Sequence, residues 1–119
     1  IGDSFPLHCT ANGKAILSVL GDDKVRALLR GPLPRLTAKT ITRAPELLRE
    51  IAECRRTGIA VDDEEHTEGI CALGTGFIDP MGRAIALSIP VPTTRFRRIR
   101  ADLATRLLEA RARMLAALN

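Results

Sequence analysis

Apolar positions along this chain change their spacing from segment to segment, and each spacing predicts an element. Phe96, Ile99, Leu103, Leu107, Ala110, Met114 and Leu118 recur three and four residues apart. That is one stripe of a helix running from Thr93 to the end. Ahead of it, Ile70–Ile78 and Arg83–Val91 are apolar at alternate and sometimes adjacent positions, which predicts two largely covered strands. Between them Asp79, Pro80, Met81 and Gly82 carry turn chemistry: an Asx side chain, a fixed φ and a glycine. Ile59–Val61 predicts a short strand. Apolar residues at 47, 48, 51, 52 and 54 predict a helix over 46–57, with Pro45 in its first turn and Gly58 as its stop. Nearer the start, Ala15, Ile16, Val19 and Leu20 form the apolar side of a helix capped by Thr10 and ended by Gly21. Asp22 is placed to cap a second helix, stopped by Gly31 and Pro32. Residues 31–42 carry two prolines and no period, so they read as loop. Ile1–Leu7 suits the tail of a strand or an entry loop.

Helices, then a hairpin, then a helix make an α+β domain with an antiparallel sheet flanked by helices. About four strands are on offer, the first cut short at Ile1. A sheet covered on both sides wants more, so an N-terminal part of the domain is expected to be missing.

Composition narrows the function. The chain has 119 residues, 45% hydrophobic and 27% charged, enough for one globular domain with a modest core. It has no Trp or Tyr and three Phe, so the core is aliphatic and a platform for stacking bases is not expected. Three cysteines without CxxC spacing point to a reducing cytoplasm and no disulfide framework. No apolar run approaches the ~18 residues of a membrane helix.

Net charge is +4, unevenly spread: seven arginines fall between Arg95 and Arg113. Such a segment can meet nucleic acid, but arginine is abundant throughout the chain, and a solvated helix face accounts for it.

Chemistry concentrates in two places. Thr10, Ala11, Asn12 and Gly13 open a helix, whose first N–H groups and positive dipole end suit a carboxylate or phosphate. Gly13 would let a ligand come close, although a packing glycine in an ordinary capped helix fits the same pattern. The second place is the acidic block Asp62, Asp63, Glu64, Glu65, Glu68, with His66 inside it. A metal site would want converging ligands of further types, and none is in view, so no metal or cofactor is expected. A thiol nucleophile, Cys71 or Cys9 beside His66 or His8, lacks any supporting motif. A small cytosolic enzyme using Cys71 or Asp62 remains the alternative reading.

Four stretches in order, PLHCTANGKAIL (6–17), LT…TIT (36–42), GIAVDDEEHTEG (58–69) and FIDPMGRAIALSIP (77–90), resemble the effector-binding domain of the IclR family of bacterial transcription regulators. The resemblance covers nearly the whole chain. It implies that residues 1–119 are a partial effector-binding domain with a GAF-like fold, lacking the family's N-terminal winged helix-turn-helix. It further implies a cytoplasmic, non-enzymatic sensor that binds a small organic acid, acts as a homodimer or homotetramer, and meets DNA through the absent domain, with no membrane role. Carried over by motif, the ligand residues are Ala11 and Asn12 through backbone N–H groups, with Gly13 beside them, and Asp62, Ala72, Ser88 and Pro90. Ala72 stands one place after Cys71, where several members have Cys. Pro90 stands where a second Ser is often found. Two lost polar groups point to a ligand larger or less polar than a two- or three-carbon acid.

Overall fold

The computed structural model describes residues 6–119. The expected strand tail or entry loop at Ile1–Leu7 lies mostly outside them, and Pro6 and Leu7 are not in a strand. The elements are α1 (Ala11–Val19), α2 (Asp22–Leu28), α3 (Ala44–Thr57), β1 (Ala60–Asp63), β2 (Ile70–Ile78), β3 (Ala84–Pro92) and α4 (Thr93–Leu118). The chain is thus α+β, with a three-stranded antiparallel sheet, ordered β1-β2-β3, among the described residues.

Local chemistry explains most boundaries. Thr10 Oγ1 accepts from the Gly13 amide at 2.9 Å and donates to the Pro6 carbonyl at 2.7 Å, so α1 begins where its cap predicts. Gly58 ends α3 at φ 81°, a left-handed conformation that costs glycine little. In the hairpin, Asp79 Oδ1 accepts from the amides of Met81 (2.9 Å) and Arg83 (2.8 Å), and Gly82 takes φ 83°. Two expectations shift. Gly21, not Asp22, is the cap residue of α2; Asp22 starts the helix and its carboxylate accepts from Arg55 at 2.8 Å. β1 runs on through Asp63, two residues into the acidic block, because pairing of Asp62 with Ala72 and Asp63 with Cys71 continues the ladder.

Helices cover both faces of the sheet. On one, α4 buries Phe96, Leu103 and Leu107 against Cys71 and Leu73, with Val61, Leu87 and Val91 at the margin. On the other lies α1, which packs in turn on α3 through Leu17, Leu47 and Ile51. The apolar stripe of α4 is buried only in its first half, since Met114 and Leu118 are exposed.

Candidate functional site

The pleat puts alternate residues on opposite faces. Asp62, Ala72 and Pro90 are cross-strand neighbours in one row, and Ala60, Gly74 and Ser88 form the next. Both rows face α1. A Cβ on Gly74 would stand 3.0 Å from the Ala11 carbonyl oxygen, and one on Gly76 2.8 Å from that of Ala15. The helix therefore runs over Gly74 and Gly76, and its N-terminal end is directed at the row of Asp62, Ala72 and Pro90. The residues expected to hold a ligand, scattered from 11 to 90 in the chain, come together on this face.

At the helix start, the Gly13 amide is spent on the Thr10 cap, and among the described residues no acceptor meets the amides of Ala11 and Asn12. Among the described residues Asn12 Oδ1 is buried without a hydrogen-bond partner. A buried acceptor left unpaired is costly, so this side chain wants a donor. Gly13 does not open space for a ligand: a Cβ there would lie 2.5 Å from the Leu7 backbone. What comes close to Gly13 is the chain itself.

The acidic block divides sharply. Asp62 is buried, and its Oδ1 accepts from the Glu65 amide at 2.9 Å. Burial pushes its carboxyl above the usual range, offset in part by the amides of Glu65 and His66 and by the charge of Lys14. Glu65 is buried too. Its Oε1 lies 2.6 Å from Lys14 Nζ, and its Oε2 accepts from the Asp63 amide at 3.1 Å. Asp63 and Glu68 face solvent, and Glu64 caps the turn by accepting from the Gly69 amide at 2.9 Å. The loop at 36–42 clamps this turn: Thr37 Oγ1 donates to the Glu64 carbonyl and Thr40 Oγ1 to the Glu65 carbonyl, each at 2.6 Å.

Lys14 escaped the sequence reading. It is 1% exposed and reaches Glu50 Oε1 (2.9 Å), the Val61 carbonyl (2.8 Å) and Glu65. The available signal was its place three residues from both Ala11 and Leu17, on the buried stripe of α1.

The thiols are not poised to react. Burial, with the negative charges of Asp62 and Glu65, pushes Cys9 up to about 11. Burial also raises Cys54 and Cys71. Cys71 Sγ meets Asp63 (3.6 Å) and Thr93 (3.4 Å), while His8 meets the Pro34 carbonyl and His66 meets Thr67. Asp63, Glu64 and Cys71 group their polar atoms within 4.8 Å, but Lys39 Nζ already stands 3.5 Å and 3.7 Å from the two carboxylates. Two open grooves, of about 310 and 410 Å³, follow the outer side of β1 and share Glu53, Ile59, Val61 and Arg100. The smaller is lined by the carboxylates of Glu50, Glu53, Asp63 and Glu65 together with the cations of Lys14 and Arg100. No described helix is long and apolar enough to cross a membrane.

Residues 1–117 match the family model of the C-terminal region of IclR bacterial transcriptional regulators. The chain is 44% identical over 108 residues to the HTH-type transcriptional regulator Rv1719 of Mycobacterium tuberculosis, covering 91% of this chain and 42% of that protein. It thus spans less than half of that relative. The C-terminal domain of the Escherichia coli transcriptional regulator KdgR superposes with a TM-score of 0.81 at 35% identity, covering 95% of this chain and 70% of that one. The inducer-binding domain of the Acinetobacter transcription factor PobR, a double mutant in complex with 3-hydroxybenzoic acid, superposes with a TM-score of 0.81 at 30% identity, over 97% and 69% of the two chains.

Proposed function

The chain belongs to the IclR family of bacterial transcriptional regulators, and on that premise we propose that it is the effector-sensing domain of such a regulator. In this reading the ligand is a small organic acid. Its carboxylate accepts from the amides of Ala11 and Asn12, where the helix dipole favours negative charge. A hydroxyl or amine elsewhere on the ligand donates to Asp62, and Ser88 donates or accepts. Ala72 and Pro90 supply an apolar floor. The ligand carboxylate does not go to Asp62, since two carboxylates side by side repel.

The observation that carries this reading is the direction of α1: it passes over Gly76 and Gly74 toward the row containing Asp62, and among the described residues no acceptor meets the amides of Ala11 and Asn12. Gly13 is left out of the ligand contacts because Leu7 occupies its open side. The likeness to a domain crystallised with 3-hydroxybenzoic acid supports an acid with a ring hydroxyl.

Binding changes the hold of a DNA-binding domain through the arrangement of a dimer or tetramer. That requires the ligand to make different contacts in the two arrangements. A thermal-shift panel of organic acids on the full regulator tests the ligand class. Hydroxylated aromatic or longer-chain acids should raise the melting temperature, and Asp62→Asn should reduce the preference for the hydroxylated ones. Stabilisation by two- and three-carbon keto acids alone would overturn the size argument.

A further inference from the structure

We infer that Lys14 is the positioning residue of this site: through Glu65 it fixes the orientation of the Asp62 carboxylate and ties the start of α1 to β1. The inference rests on the reading of Asp62 as the ligand's acceptor, but its geometry stands independently of any ligand. An ammonium has three N–H donors. Lys14 donates to Glu50 Oε1 and to the Val61 carbonyl at 2.9 and 2.8 Å, and forms an ion pair with Glu65 Oε1 at 2.6 Å. Its ammonium is buried among these three protein oxygens, so its part is to hold other groups.

What it holds is the turn after β1. The Glu65 carboxylate is gripped by Lys14 on one oxygen and by the Asp63 amide on the other. Its main chain is gripped on both sides, the carbonyl by Thr40 and the amide by Asp62 Oδ1. The preceding residue, Glu64, sits at φ 56°, a conformation that a residue with a side chain adopts at a cost. Such a turn persists only where its surroundings over-determine it, and the Lys14–Glu65 contact is its charged, buried anchor. The Glu65 amide, held in this turn, donates to Asp62 Oδ1 at 2.9 Å and so sets the orientation of the carboxylate within the ligand row.

Lys14 also sits one turn into the helix whose first amides face that row. The carboxylate pole and the acceptor pole are therefore separated by a strut of fixed length: α1 backbone, Lys14 side chain, Glu65, Asp62. A fixed spacing selects among acids by the distance from carboxylate to hydroxyl, which is a specificity function and not only a stabilising one.

Two variants of the full chain test this. Lys14→Met/Glu65→Gln removes both charges of the pair together, so that neither partner is left as a buried ion without the other. Glu65→Gln by itself is isosteric and keeps one acceptor where two are needed. Residue-resolved amide hydrogen exchange should be at least about tenfold faster at position 65 in either variant, while Leu73 and Phe77 in β2 keep their protection. Unchanged protection at position 65 in a folded variant overturns the inference. In the second measurement the probes are 3-hydroxybenzoate and benzoate. The parent should prefer the hydroxylated acid. The double variant should lose that preference while holding benzoate within about threefold of the parent affinity. A retained preference overturns the inference. If the parent binds neither acid, the proposed ligand class fails, and amide exchange alone decides the role of Lys14.

Discussion

The two faces of the sheet are built from the same three strands and do opposite work. Toward α4 the strands present Val61, Cys71, Leu73, Leu87 and Val91, and these close on Phe96, Leu103 and Leu107 as an aliphatic core. Toward α1 they present Ala60, Asp62, Ala72, Gly74, Gly76 and Ser88, which are small or polar. Large side chains keep α4 at ordinary packing distance. Small ones let the α1 backbone come down onto Gly74 and Gly76 and leave its N-terminal amides directed along the sheet. The contrast teaches that a site can be made by withholding side chains: the face with less to bury is the one with polar groups left to use.

Substitutions on each face should sharpen this contrast. The largest effect is expected at Lys14→Met on the α1 side. It leaves Glu65 buried without its counter-charge and should cost about 3–5 kcal/mol by urea unfolding. The double variant with Glu65→Gln should cost less. On the α4 side, Leu73→Ala removes a fully buried side chain and should cost roughly 2–5 kcal/mol, without altering the preference among acids. Gly13→Ala forces a methyl group into the Leu7 backbone and should destabilise by about 1–3 kcal/mol, more than an exposed helix glycine, where alanine stabilises.

A smaller effect should appear in the pH dependence. Asp62 and Glu65 hold their protons more tightly in the folded chain than at their ordinary values of 3.8 and 4.5. Their protonation therefore favours the folded state fully below those values, and that contribution is lost as pH rises through the higher folded midpoints. Asp62→Asn keeps an acceptor for the Glu65 amide and carries no charge. It should raise stability at neutral pH and flatten this part of the profile, read as urea midpoints from about pH 4 to pH 7. Equal slopes in parent and variant would remove Asp62 from the account. The smallest effect belongs to Met81→Ser in the hairpin, where the side chain is 77% exposed. It should stay within about 0.5 kcal/mol.

Much of the fold was legible because it is local. The Thr10 cap, the Gly58 stop, the Asp79 turn and the largely covered strand β2 are each decided within a few residues, and each lies where expected. The α4 stripe was legible as a helix. Its exposed second half was not, since a period says which residues share a face and not how far the partner surface extends. The end of β1 was not legible, because the acidic block disguised two residues that the ladder with β2 keeps in the strand.

By itself the sequence determined the α+β order, the family to which the chain belongs and the positions of its candidate ligand residues. The tertiary structure decided which charges are buried. Glu65 and not Asp63 lies inside because a lysine on α1 reaches it, and Gly13 is a glycine because Leu7 passes over it. Both facts depend on groups dozens of residues apart or on opposite sides of a cap. A one-dimensional pattern carries periodicity and local hydrogen bonding, whereas the cost of burying a charge depends on which distant partner arrives beside it.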